Sequence, residues 1–290
     1  MRALKYKRIR QIEMEQFTTV EGLKKGLAAR RGSVGLVPTM GALHEGHVSL
    51  VEKARAENDT VVVSVFVNPT QFNDKDDLRN YPRTPEADTE VLKKAGADIV
   101  FMPTVEEVYP EPDTRVFDFG MLDKVMEGAT RPGHFNGVAQ VVSRLFSLVN
   151  PDRAYFGEKD FQQIAIIKSL VKQLGLGLTI VECPIVREAD GLALSSRNRL
   201  LAPEYRAAAP RIYAAMKAGA AEAGKKSVAE VERDVVAGIE ADGLLKVIYF
   251  KLVDEETLRE VSDWKEAAHV RGCTAVQAGS VRLIDNMRFI

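Results

Sequence analysis

The run at 60–67, Thr-Val-Val-Val-Ser-Val-Phe-Val, constrains this chain more than any other stretch. A nearly unbroken apolar, β-branched run cannot alternate a dry face with a wet one, so it predicts a strand covered on both sides. Such strands belong to parallel sheets, whose right-handed crossovers lay helices over each face. The flanking sequence keeps that rhythm. A strand is predicted at 33–38, then a glycine-containing turn and a helix around 48–57. Thr84 as cap and Pro85 at the first position open a helix that closes at Gly96. A short strand at 99–102 is stopped by Pro103, and Val138, Val141, Val142, Leu145 and Val149 keep helical spacing up to Asn150-Pro151. A strand at 154–156, a helix marked by Phe161, Ile164, Ile167, Val171 and Leu174, and a strand at 179–183 closed by Pro184 complete the series. The pattern is α/β, a doubly wound, mostly parallel Rossmann-like sheet, in which ligands sit beyond the carboxyl ends of the strands.

After Pro184 two helices follow one another, at 203–223 and 228–241. The second opens on a capping box, Ser227 with Glu230. Strand-like runs at 245–253, 273–278 and 281–284 close the chain, so a smaller C-terminal α+β domain is expected. The boundaries are 1–184 for a nucleotide- and substrate-binding domain and 185–290 for a lid.

Composition limits the partners. The 290 residues carry 40 Lys plus Arg against 41 Asp plus Glu, a net charge of −1, which gives no field to attract nucleic acid or an anionic membrane. No apolar run approaches the length that spans a bilayer, and the basic start at 1–10 is followed by Gln11, Glu13 and Glu15 rather than a signal-peptide core. Two cysteines, Cys183 and Cys273, make neither a disulfide framework nor a zinc site, and read as reduced thiols of a cytoplasmic protein.

Any phosphate site must therefore be local. Met40, Gly41, Ala42, Leu43, His44, Glu45, Gly46 and His47 lie between the first strand of the series and its helix. Small residues there let an anion approach backbone N–H groups at a helix start. His44 and His47 are three apart, so their rings share one side of a turn and offer donors to phosphate oxygens. Solvated or core histidines are the plain alternative, and a zinc site lacks a third ligand nearby. Gly157, Glu158, Lys159 and Asp160 follow the 154–156 strand; Lys159 is a point charge for phosphate, and Asp160 is either a helix cap or a ribose ligand. Ser195, Ser196 and Arg197 offer two hydroxyls and a guanidinium to a polyphosphate, or form an ordinary polar loop. Asn68 and Gln71 bring neutral amides to a strand's carboxyl end. Gln163 does so from the helix after Asp160, and His134 lies in Arg-Pro-Gly-His-Phe.

The H-x-x-H pair with a late Ser/Ser/Arg loop resembles the nucleotidyltransferase superfamily that includes class I aminoacyl-tRNA synthetases. More narrowly, PTMGALHEGH, FVNPTQF, RPGHFNGV, FGEKDFQQ and DGLALSSRN, in this order, resemble the pantothenate synthetase family. The resemblance implies an ATP-dependent ligase that condenses (R)-pantoate with β-alanine through a pantoyl adenylate. It implies ATP contacts from 40–47, 157–160, Val186 and 194–197, and pantoate contacts from Gln71 and Gln163, with Gln71 also near β-alanine. His47 is the implied catalytic histidine, and His44, Lys159, Ser195, Ser196 and Arg197 join it in stabilising charge. Asn68 and His134 are further candidate substrate contacts. Leu194 departs from the family, which often has Met there. The resemblance also implies Mg²⁺ and a homodimer. The rival readings are an adenylyltransferase acting on a phosphorylated acceptor and a non-catalytic nucleotide-binding regulator.

Overall fold

The computed structural model describes residues 14–290, so the basic start at 1–10 lies outside the described residues. The chain runs β1 (Glu15–Phe17), α1 (Val20–Ala28), β2 (Val34–Thr39), α2 (Glu45–Glu57), β3 (Thr60–Val65), α3 (Lys75–Asn80), α4 (Pro85–Ala95), β4 (Ile99–Phe101), α5 (Val105–Val108), α6 (Met126–Thr130), α7 (His134–Val149), β5 (Arg153–Gly157), α8 (Phe161–Gln173) and β6 (Thr179–Cys183). It continues through α9 (Pro203–Ala208), α10 (Arg211–Ala221), α11 (Val228–Ile239), β7 (Leu245–Asp254), β8 (Val270–Ala278) and β9 (Val281–Arg288). Among the described residues no helix is long and apolar enough to cross a membrane.

The first six strands form a parallel sheet in the order β1-β4-β3-β2-β5-β6. As its composition requires, β3 is buried on both faces: Val62 packs into the cluster with α7 and α8, while Val61 and Val63 pack into the cluster with α2. The last three strands form an antiparallel sheet, β7-β8-β9, whose core is shared with α10 and α11.

The order of strand addition reverses at β2, since β3 and β4 extend the sheet on one side and β5 and β6 on the other. There β2 and β5 pair only at Gly35–Arg153 and Leu36–Ala154. Beyond that register Pro38 and Thr39 from β2 and Phe156 and Gly157 from β5 line a crevice instead. This is the place where an open α/β sheet binds its ligand.

Three local expectations need correction. The predicted helix at 203–223 is broken into α9 and α10 because Pro210 has no N–H and cannot sit in a helix interior. Thr84 occupies the cap position of α4 but caps no N–H; its hydroxyl donates to Asp88 Oδ1 at 3.1 Å. Asp160 also makes no capping bond to α8, so the plain explanation for that carboxylate falls away.

Candidate active site

The site begins with how α2 starts. His44 is its N-cap, and His44 Nδ1 accepts from Gly46 N at 3.1 Å. His47 Nδ1 accepts in return from His44 N at 3.3 Å, so the two imidazoles form a capping box, with ring centroids 4.1 Å apart. An Nδ1 that accepts from an amide carries no proton, so each neutral ring keeps its proton on Nε2. Protonating either ring on Nδ1 would break the cap. Burial, then Lys159 and Arg199, lowers the His44 pKa to about 4. Burial, then His44 and Lys159, lowers that of His47 to about 3. Both rings are thus neutral near pH 7, each with one free N–H donor, and both line the crevice.

The loop before this helix is fixed from below. Gly41 (φ 83°) and Ala42 (φ 51°) turn the chain in the left-handed region. Asp88 on α4, 2% exposed, holds the turn by accepting from Ala42 N (3.0 Å) and Leu43 N (2.8 Å). This corrects the expected cradle of open amides. Gly41 N is bonded to Thr39 Oγ1, Gly46 N to His44 Nδ1 and His47 N to the His44 carbonyl. The imidazole N–H groups are therefore the side-chain donors that this loop brings to the crevice. Asp88 escapes sequence reading because an acid in a helix's first turn already suits the helix dipole.

Gln71 enters from the opposite wall on the turn after β3. Gly137 permits its position: a Cβ there would meet the Thr70 carbonyl oxygen at 2.3 Å. Gln71 Oε1 accepts from Asn68 Nδ2 at 3.2 Å, and Gln71 Nε2 contacts Met40 Sδ at 3.2 Å. Asn68 is 1% exposed, and its amide also bonds Thr70, Tyr109 and the Gly137 carbonyl. His134 Nδ1 contacts the Gln71 carbonyl at 2.8 Å and Nε2 contacts Arg131 at 3.1 Å. Burial, then Arg131, lowers the His134 pKa to about 4. Asn68 and His134 thus sit behind Gln71 and hold it; they do not line the crevice.

Lys159 and Asp160 reach the crevice from the turn after β5, 3.5 Å apart, and Gln163 follows on α8. Val186 and Leu194 are paired backbone to backbone, Leu194 N to the Val186 carbonyl at 3.0 Å, and deliver Ser195, Ser196 and Arg197. Ser196 Oγ donates to Tyr81 Oη at 3.3 Å. Arg197 Nη2 donates to both carboxylate oxygens of Asp77 on α3 (2.9 and 3.1 Å), Nε donates to Oδ1 at 3.3 Å, and the guanidinium lies over the Tyr81 ring. Neither Tyr81 nor Asp77 carries a local sequence signal for this role.

The crevice has a volume of about 210 Å³. Of the expected nucleotide residues, Met40, His44, Gly46, His47, Gly157, Lys159, Asp160, Val186, Leu194, Ser195, Ser196 and Arg197 line it, as do Gln71 and Gln163. Ala42 and Leu43 are buried beneath it, Gly41 faces a separate recess, Glu45 is exposed, and Glu158 lies outside the lining, its carbonyl accepting from Asn286. The model of the family described as Pantoate-beta-alanine ligase matches residues 14–288. The chain belongs to the pantoate-beta-alanine ligase family. A pantothenate synthetase of Porphyromonas gingivalis is 58% identical over 279 residues, covering 95% of this chain and 99% of that protein. The crystal structure of pantothenate synthetase from Thermus thermophilus superimposes with a TM-score of 0.90 at 49% identity, covering 95% of this chain and 99% of that one. A pantoate-beta-alanine ligase from Francisella tularensis, solved with beta-gamma ATP and beta-alanine, gives a TM-score of 0.81 at 33% identity, covering 95% and 98%. The crevice at the switch point gathers imidazoles, an ammonium, hydroxyls and amides along one wall-to-wall lining.

Proposed function

We propose that this crevice binds ATP and pantoate together and carries out the family's reaction, ATP-dependent condensation of pantoate with β-alanine. The observation that carries the assignment is the convergence of two neutral imidazole donors and Lys159 with Gln71 and Gln163 in one crevice at the sheet's switch point. A pantoate carboxylate oxygen attacks the α-phosphorus of ATP; the bond to the β-phosphate oxygen breaks and pyrophosphate leaves. The β-alanine amine then attacks the acyl carbon of the adenylate, the C–O bond breaks, AMP leaves and the amine's proton passes to solvent. The protein's task is positioning and stabilising negative charge. His44 and His47 donate through Nε2–H, Lys159 supplies a compact positive charge, and Ser195, Ser196 and Arg197 offer their hydroxyls and guanidinium to the phosphates. Gln71 and Gln163 hold the pantoate hydroxyls without adding charge that would oppose the nucleophile.

The region after Pro184 acts as a lid that excludes water from the adenylate. Among the described residues no three His, Cys, Asp or Glu side chains converge as a resident metal would need. The donors suit a Mg²⁺ that arrives on the ATP phosphates and keeps most of its water, with Asp160 as the carboxylate lining the crevice. The family resemblance makes a homodimer the expected assembly, which sedimentation at twice the chain mass would support. Cys183 and Cys273, both free and buried, suit a reducing cytoplasm.

Pyrophosphate–ATP exchange is the test. Exchange should require pantoate but not β-alanine, and the complete reaction should yield AMP with no ADP. Stoichiometric ADP overturns the assignment. Gln71→Ala and Gln163→Ala should each weaken pantoate binding by roughly 1–3 kcal/mol while ATP binding changes little. Calorimetric titration with each ligand decides this, and unchanged pantoate affinity in both removes the amide pair from the site.

A further inference from the structure

The phosphate-facing groups come from two separate stretches, the turn bearing Lys159 and the loop ending in Ser195, Ser196 and Arg197. Neither the 158–160 turn nor α8 has a side-chain cap. Both stretches are instead tied to one dipeptide of β9, Asp285–Asn286. Asn286 is 2% exposed, and its Nδ2 donates to the carbonyl oxygens of Glu158 (2.8 Å) and Lys159 (3.0 Å). Asn286 Oδ1 accepts from Arg271 Nη1 at 2.7 Å, and Arg271 Nε donates to Glu255 at 2.8 Å. All the hydrogen-bonding capacity of this amide's nitrogen is thus spent on the two carbonyls flanking the Lys159 backbone. The neighbouring Asp285 receives Arg187 through both oxygens, at 2.6 and 2.9 Å. Arg187 in turn donates to the Gly191 carbonyl at 3.1 Å and stacks on Tyr213, 3.8 Å from its centroid. Cross-bonds Glu188–Leu192 and Val186–Leu194 carry that anchorage to the residue before Ser195.

We propose that Asp285–Asn286 is a positioning element for adenylation: it fixes the Lys159 turn and the Ser195–Arg197 stretch to one strand, so that phosphate ligands from distant parts of the chain are in register before ATP binds. The inference rests on the assignment of Lys159 to the ATP phosphates. Positioning residues of this kind act because a displacement of the order of 1 Å in a charge-stabilising group costs much of its effect. Asparagine is needed where aspartate would not serve. Aspartate has the same shape and keeps Arg271 as partner, but it turns two donors into an oxygen facing two carbonyl oxygens.

The test compares wild type, Asn286→Asp, Lys159→Ala and the double variant. Each is measured by pantoate-dependent pyrophosphate–ATP exchange and by single-turnover attack of β-alanine on preformed pantoyl adenylate. Asn286→Asp should lower the maximal exchange rate about 10- to 100-fold with the pantoate KM unchanged. The amine step should move little, since it does not use the β- and γ-phosphates. In the Lys159→Ala background the same substitution should cost less than about twofold, because a residue acting through Lys159 has nothing left to position. Asn286→Ala, which removes the donors without adding charge, should reproduce the result if the aspartate variant folds poorly. Wild-type exchange in both Asn286 variants, equal slowing of both half-reactions, or full multiplication of the two losses overturns the proposal. A Lys159→Ala protein with normal exchange would instead overturn the site assignment beneath it.

Discussion

Two helices of this chain, α2 and α11, both start with a capping box, made by different chemistry. At α11 Ser227 Oγ accepts from Glu230 N at 3.3 Å and Glu230 Oε2 accepts from Ser227 N at 2.9 Å, while the hydroxyl itself donates to the carboxylate at 2.6 Å. That box closes on itself. At α2 the same two positions hold His44 and His47, which use Nδ1 for the cap and retain an N–H on Nε2. The serine–glutamate pair ends as a satisfied, exposed surface feature. The histidine pair ends as a preorganised double donor, fixed in tautomer by the helix start itself. A capping box can therefore serve as scaffold for the groups that make it, and imidazole is the side chain that allows this because its two nitrogens act independently.

The largest expected effect comes from exchanging one box for the other. His44→Ser with His47→Glu keeps a standard cap, so unfolding free energy should stay within about 1 kcal/mol of wild type. Pantoate-dependent exchange should fall by about 10³-fold or more, since each lost donor is worth about 10²–10³ and a carboxylate now faces the phosphates. Retained exchange in this variant would reduce the histidines to caps.

The next effect is on stability against pH. His44, His47 and His134 have pKa values lowered to about 4, 3 and 4. Between these values and pH 6.5 the unfolded chain binds more protons than the folded one, so stability rises with pH across that window and is lost on acidification. Above about 6.5 these groups contribute no slope. At about pH 5 the loss should be about 2 kcal/mol per histidine, measurable as a shift in urea midpoint. The exchanged-box variant should lose the share of His44 and His47 and keep that of His134. An unchanged slope would mean that the two rings are not held neutral by the fold.

The smallest effect belongs to the ordinary box. Ser227→Ala should cost about 1 kcal/mol in chemical denaturation and leave exchange kinetics at wild-type values. A change in kinetics would tie α11 to the crevice in a way its cap chemistry does not suggest.

The contrast also separates what was legible. The Ser227–Glu230 box could be read directly because cap and partner are three residues apart and need nothing else. The histidine pair was legible as two rings sharing one side of a turn, but its role as a cap was not, because histidine is not a usual N-cap residue. Gln71 was legible from its place at a strand end. Asn68 and His134 read equally well as substrate groups, yet each is turned inward by partners in α7 or the 69–71 turn. Residues within one motif share a location, and sequence cannot tell which of them faces the cavity and which faces the wall.

The alternation of double-covered strands and helices followed from the amino-acid order alone, because burial on two faces is a property of each strand's own composition. So did the register of apolar positions in α7 and α8, the glycine stop at Gly96 and the change of rhythm after Pro184. Tertiary structure decided the rest. Strand order put β2 beside β5 and parted them into a crevice. Packing of α4 under the first turn gave Asp88 the amides of Ala42 and Leu43, and β9 gave Asn286 the carbonyls of Glu158 and Lys159. The physical reason is common to these cases. A backbone N–H or C=O left open by irregular structure must find a partner, and local sequence specifies the need while only the folded chain supplies the group that meets it.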